Sequence, residues 1–175
     1  MALRPPVSDA DHIEGNPNAT IELVKYGDYQ CPHCARAYLV VHHLQEELGD
    51  QLKFVFRNFP LQKIHPEAVI AAIAAEAAAL QGRFWEMHDL IFENQDELSE
   101  SMLLELAAEL DLDMDKFRKD LGSEELAQKV DNDFESGIRS GVNATPTFFI
   151  NDEKYNEGWE SDRMLQYIRT NNIGK

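Results

Sequence analysis

The sequence predicts an α/β fold: one sheet whose two halves are separated by a run of helices. Three patterns carry this prediction. A strand, a helix and a second strand follow one another from Ile21 to Phe59. Helical periodicity then fills the chain from Pro66 to Ser140, with no Gly/Ser/Pro-rich linker at either end. A strand, a turn, a short second strand and a helix close it from Thr147 to Thr170. The 175 residues suit one domain with one core. The boundaries read as an N-terminal arm over 1–18, a first half over 19–64, a helical insertion over 65–141 and a second half over 142–175.

Each element has its own signal. Met1–Asn18 is polar with three prolines and reads as an extended arm, with His12 and Ile13 at the sheet edge. Ile21–Tyr26 is the first core strand. The helix after it runs to Leu48, with Val40, Val41, Leu44 and Leu48 on its apolar face, and Gly49-Asp50 ends it. Leu52–Phe59 is the second strand, stopped by Pro60. This strand–helix–strand unit predicts parallel strands joined right-handedly. Pro66 opens an alanine-rich helix to Leu80, and Gly82 breaks it. Phe84–Glu93 follows, with His88 in its apolar stretch as a satisfied core or boundary histidine. Helices over 101–110 and 115–121 are capped by Ser99 or Ser101 and by Asp113, and Ser123 starts another that ends near Ser140. Asn143–Pro146 is a turn, Thr147–Asn151 a strand, and Ser161 to about Thr170 a helix with Met164, Leu165 and Ile168 on its buried stripe. The adjacent His42 and His43 point in different directions, one exposed and one half-buried, and are poor metal ligands.

Composition narrows the function. The apolar fraction of 43% and charged fraction of 27% are ordinary for a globular protein. A net charge of −16, spread along the chain, argues against nucleic acid or an anionic membrane as partner. No run approaches the length of a membrane span. Met1–Ser8 lacks the charged-then-apolar pattern of a secretion signal, so the expected location is cytoplasmic as the sequence stands, and periplasmic or extracellular if a leader has been removed.

The chemistry concentrates in Tyr29-Gln30-Cys31-Pro32-His33-Cys34-Ala35, which holds the chain's only two cysteines at a strand-to-helix turn. Cys31 falls near the N-cap and Pro32 at the first helical position, where its missing N–H costs nothing. Unpaired N–H groups and the helix dipole favour the Cys31 thiolate. His33 adds a donor or a positive charge, and Cys34, one turn in, can close a small disulfide with Cys31. A structural disulfide is disfavoured, because so short a loop constrains the unfolded chain little. A structural zinc site needs about four ligands, and no second Cys or His pair follows. The chemistry calls for no cofactor and no metal.

The segment YGDYQCPHC, with Val142-Asn143-Ala144-Thr145-Pro146-Thr147-Phe148-Phe149-Ile150 far downstream, resembles the DsbA-like branch of the thioredoxin superfamily. The likeness runs from about Ala19 to Ile168. It implies a thioredoxin-like fold with an inserted helical subdomain. It also implies a cis Thr145–Pro146 peptide against the thiols, with the Thr145 backbone free to pair with a substrate strand. The implied activity is thiol–disulfide exchange with protein thiols, carried by Cys31, Cys34, Pro32 and His33, with Thr145 and Pro146 binding substrate and an unidentified redox partner returning the site to its working state. Cys31 is expected to be the exposed, attacking sulfur. Two positions depart from the pattern. Thr145 stands where the best-known periplasmic members carry Val. Lys25 stands where relatives often carry Glu, and it is expected to snorkel to solvent, leaving Asp28 and Glu22 as possible substitute carboxylates. Two other functions fit the residues: a non-catalytic binding or chaperone module using the groove beside Thr145-Pro146, and metal binding by the cysteines with a histidine.

Overall fold

The computed structural model describes residues 1–175. Five strands form one mixed sheet: β1 (His12–Gly15), β2 (Ile21–Gly27), β3 (Leu52–Asn58), β4 (Thr147–Ile150) and β5 (Glu153–Lys154), in the order β1-β3-β2-β4-β5. The central pair, β2 and β3, is parallel from Ile21 opposite Leu52 to Gly27 opposite Asn58. The other pairs are antiparallel. Helix α1 (Pro32–Leu48) joins β2 to β3. Between β3 and β4 come α2 (Ala68–Ala79), α3 (Phe84–Glu93), α4 (Glu100–Glu109), α5 (Met114–Leu121) and α6 (Glu124–Arg139); α7 (Arg163–Thr170) closes the chain. This is the thioredoxin-like α/β architecture, and the helices after β3 share one continuous apolar core with it: Met87, Leu103 and Phe117 cluster with Leu23 and Phe56.

Strand alternation assigns the two faces. Ile21 and Leu23 of β2 and Phe54 and Phe56 of β3 point into the large core. Val24, Tyr26 and Val55 point the other way, into a smaller cluster with Phe59 and Phe149. Both faces are therefore buried, as a central parallel pair requires. The small side chains of Ala71, Ala74, Ala75 and Ala78, all fully buried, let α3, α5 and α6 approach α2 closely.

Several boundaries differ from the sequence expectation, each for a local reason. The N-terminal segment is more than an arm: His12–Gly15 hydrogen-bonds to β3 as an edge strand, and Leu3 and Met1 bond to Asp152 and Lys154 at the opposite edge. The N-terminal residues thus cover the β5 edge of the sheet, while β1 forms the other edge. Helix α2 starts at Ala68 rather than Pro66, and Gln30 Oε1 accepts the Glu67 N–H at this end. Strand β4 stops at Ile150 because Asn151 and Asp152 both adopt positive φ, 46° and 75°, the two-residue turn that suits a tight hairpin. Ser161, at φ 53°, cannot begin a helix, so α7 starts at Arg163. The caps fall on Ser99, Asp113 and Ser123, whose side chains accept from Met102, Lys116 and Leu126 N–H.

Candidate active site

The loop from β2 into α1 is held from three sides. Asp28 Oδ1 accepts the Gln30 N–H at 2.8 Å, and its Oδ2 accepts the Leu61 N–H at 2.9 Å and pairs with His65 Nδ1 at 2.8 Å. Gln95 Nε2, from the turn after α3, donates to the carbonyls of Tyr29 and Cys31, both at 2.8 Å. Tyr29 is buried, its hydroxyl 2.9 Å from His88 Nδ1. His88 is thus a satisfied core histidine, and burial holds its ring neutral. These bonds fix the loop so that Cys31 lands at the N-cap of α1 and Pro32 at its first turn.

Both cysteines are free thiols, and they are not equivalent. Cys34 is fully buried, and Cys31 is only 4% exposed, so its sulfur presents a narrow face rather than an open one. A hydrogen bond from the Cys34 thiol does most to lower the Cys31 pKa, to about 5; the Cys34 and His33 N–H groups add to it against the cost of burial. Burial pushes the Cys34 thiol well above the ordinary cysteine range, and donating to Cys31 pushes it further. The Asp28 N–H approaches Cys34 Sγ at 3.5 Å. Across the cleft, Cys31 Sγ lies 3.7 Å from the Thr145 carbonyl. The Thr145–Pro146 peptide is cis, and the buried Thr145 hydroxyl has no hydrogen-bond partner.

Other candidates lie elsewhere than expected. The His33 ring is exposed and pairs with Arg36, so His33 acts on Cys31 through its backbone N–H. Lys25 does not reach solvent: it is 1% exposed, and its Nζ donates to the Cys34 carbonyl at 3.0 Å. Strand alternation explains this, since Lys25 follows Ile21 and Leu23 on the large-core face of β2. The Asp28 carboxylate is wholly engaged in bracing the loop, and Glu22 is at the surface with Lys53. His42 and His43 are both partly exposed, each beside an aspartate, Asp89 at 3.8 Å and Asp162 at 3.1 Å. No group of three or more His, Cys, Asp or Glu side chains is arranged to hold a metal ion. The loop-bracing roles of Asp28, His65 and Gln95 were not read from the sequence; they join segments remote in the chain, and only the alternation that buries Lys25 was available in advance.

Comparison with known proteins agrees with this geometry. A thioredoxin-like oxidoreductase from Silicibacter pomeroyi superposes with a TM-score of 0.79 at 25% identity, covering 94% of this chain and 93% of that one. BdbD from Bacillus subtilis superposes with a TM-score of 0.81 at 24% identity, covering 94% of each chain. Wolbachia pipientis alpha-DsbA1 does so with a TM-score of 0.80 at 23% identity, covering 97% and 93%. Among curated sequences, a protein named Na(+)/H(+) antiporter NhaA 1 from Mycolicibacterium gilvum is 39% identical over 168 residues, which is 95% of this chain and 27% of that protein. One named NhaA 3 from Salinispora tropica is 43% identical over 147 residues, 84% of this chain and 22% of that protein. The chain thus spans about a quarter of the length of these curated relatives. Residues 8–170 match the family described as Thioredoxin, and with the sheet order and the Cys31–Cys34 turn in place, the chain belongs to the thioredoxin family and has the fold of its DsbA-like members.

Proposed function

We propose that this chain is a thiol–disulfide oxidoreductase acting on protein thiols through Cys31 and Cys34. The observation that carries the reading is the opposite tuning of the two sulfurs: one held as a thiolate at a helix N-terminus, the other buried and held as a thiol behind it. A low-pKa thiolate is both a ready nucleophile near neutral pH and a good leaving group. In the oxidising direction a substrate thiolate attacks Cys31 of the Cys31–Cys34 disulfide, Cys34 leaves, and a second substrate thiol resolves the mixed disulfide. In the reducing direction the Cys31 thiolate attacks a substrate disulfide and Cys34 resolves. Pro32 and the His33 N–H shape the turn around Cys31, and the Thr145-Pro146 backbone flanks it as the substrate-binding edge. Stabilising the Cys31 thiolate stabilises the reduced form, which favours disulfide donation.

The curated relatives carry an antiporter name. No helix of this chain is long and apolar enough to cross a membrane, so we assign it the disulfide chemistry of its own fold rather than ion transport. The test is trapping. A Cys34→Ser protein is expected to attack and then accumulate mixed disulfides with cysteine-bearing polypeptides, while Cys31→Ser accumulates none. Equal trapping by both variants, or none by either alongside a wild type inactive in insulin reduction, would overturn the reading.

A further inference from the structure

We propose that Gln95 is a positioning residue for the exchange reaction: from the turn after α3, its side-chain amide clamps the main chain on both sides of Gln30 and so holds the Cys31 sulfur in its working pose. The proposal rests on the dithiol chemistry above and gives the helical insertion a part in it.

The clamp is two hydrogen bonds from one atom. Gln95 Nε2 donates to the Tyr29 carbonyl and to the Cys31 carbonyl, each at 2.8 Å. Both partners are carbonyl oxygens, which only accept. The amide nitrogen and not its oxygen must therefore face them, with one of its two protons for each. The other bonds to the Cys31 main chain are local. Its N–H donates to the Asp28 carbonyl at 3.1 Å, and its carbonyl receives the Cys34 and Ala35 N–H groups at 3.1 and 3.2 Å. All of these stay within residues 28–35. Gln95 supplies the one hydrogen bond to the Cys31 main chain from outside that segment.

The clamp is itself anchored. Asn94 Nδ2 donates to the Leu90 carbonyl at 2.8 Å and closes the end of α3, which fixes the chain where Gln95 begins. The same helix holds the Tyr29 side chain: its hydroxyl meets His88 Nδ1 at 2.9 Å, and its ring lies 4.9 Å from that of Phe92. Tyr29 is thus gripped at its ring by α3 and at its carbonyl by the turn that follows. The surroundings of the Cys31 sulfur depend on this grip. Its donors, the Cys34 thiol and the Cys34 and His33 N–H groups, act at short range, and the Thr145 carbonyl lies 3.7 Å away. A turn of the Cys31 peptide would carry the sulfur off all of them. During exchange the sulfur changes partners while its backbone must stay in place, and a misplacement of about 1 Å can cost about 10²-fold in rate. Gln95 carries no proton or electron in this; it acts through the backbone of Cys31.

The test compares the wild type with Gln95→Met, which keeps the length and lacks the donor, and with Gln95→Ala, which serves where the Met variant folds poorly. The readouts are the Cys31 titration midpoint at 240 nm, the equilibrium with glutathione at pH 7, the rate of reaching it, and urea unfolding of both redox forms. Each variant is expected to raise the midpoint by about one pH unit and to move the equilibrium about tenfold toward the protein disulfide, because one unit is a tenfold loss of thiolate stabilisation. The approach to equilibrium is expected to slow about tenfold. A merely structural glutamine would destabilise the oxidised and reduced forms equally and leave the midpoint and the equilibrium in place; that result in the folded variants overturns the proposal. A wild type that forms no disulfide with glutathione or between Cys31 and Cys34 would instead overturn the dithiol reading itself.

Discussion

At the scale of single residues, the thiolate of Cys31 depends most on the neighbouring thiol. The Cys34 sulfur donates directly to Cys31, whereas the His33 ring turns away to Arg36. Absorbance titration of the reduced protein at 240 nm is therefore expected to give a Cys31 midpoint near 5, well below the free-cysteine value of about 8.5. Cys34→Ala is expected to raise that midpoint more than His33→Ala does, because the alanine at position 33 keeps the backbone donor. A larger rise in the His33 variant would show that the imidazole acts on the sulfur directly.

At the scale of elements, a buried polar network ties the helices to the sheet. Glu76 of α2, 4% exposed, receives His12 of β1 at 2.9 Å, Asn58 of β3 at 3.1 Å and Lys129 of α6 at 3.2 Å. Asp133 of α6 accepts from Lys129 at 2.8 Å and from the Asn58 N–H at 3.0 Å. Removing Glu76 strips His12 and Asn58 of their acceptor and leaves Lys129 with Asp133 alone, so Glu76→Ala is expected to lower unfolding stability in urea titrations by about 3 kcal/mol, the low end of the range for a broken buried pair because Lys129 keeps Asp133 and some solvent. The pH dependence has a definite sign. Burial works to raise the Glu76 pKa, but the His12 hydrogen bond and the Lys129 charge outweigh it, and the net shift is downward. A depressed folded pKa gives stability that is full above the unfolded value, about 4.3, and is lost as pH falls through the folded one. Asp133 is raised, chiefly by burial, and opposes this on acidification. Glu76→Gln is accordingly expected to flatten the stability curve below about pH 4.3.

At the scale of the whole molecule, redox state and stability are linked. The folded Cys31 pKa of about 5 lies below that of an unfolded cysteine. The reduced protein should thus gain stability over the oxidised one as pH rises from about 5 to about 8.5, by up to about 1.4 kcal/mol per pH unit. Above that window the raised Cys34 pKa acts in the opposite sense. Urea unfolding of both forms between pH 5 and 8 checks this: a constant difference would mean that the folded thiolate is not stabilised. The gain is a property of the assembled fold, because the Cys34 thiol that donates to Cys31 is held in place by the packed core.

The sequence alone determined the parts of this protein that rest on local periodicity and local chemistry. The strands Ile21–Tyr26 and Leu52–Phe59, the helix starts at Asp113 and Ser123, and the placement of Cys31 and Pro32 at a strand-to-helix turn all follow from spacing of a few residues. The pairing of that turn with Thr145-Pro146 came from the likeness to a family, not from periodicity. Tertiary structure decided the rest. It buried Lys25, because β2 is covered on both faces and the inner face of a central strand lies under the packed helices. It committed Asp28 to His65 and Leu61 rather than to the thiols, and it gathered Glu76, Lys129 and Asp133 into one network. Burial and pairing between remote residues depend on which elements pack together, and that packing buries Cys34 and raises its pKa.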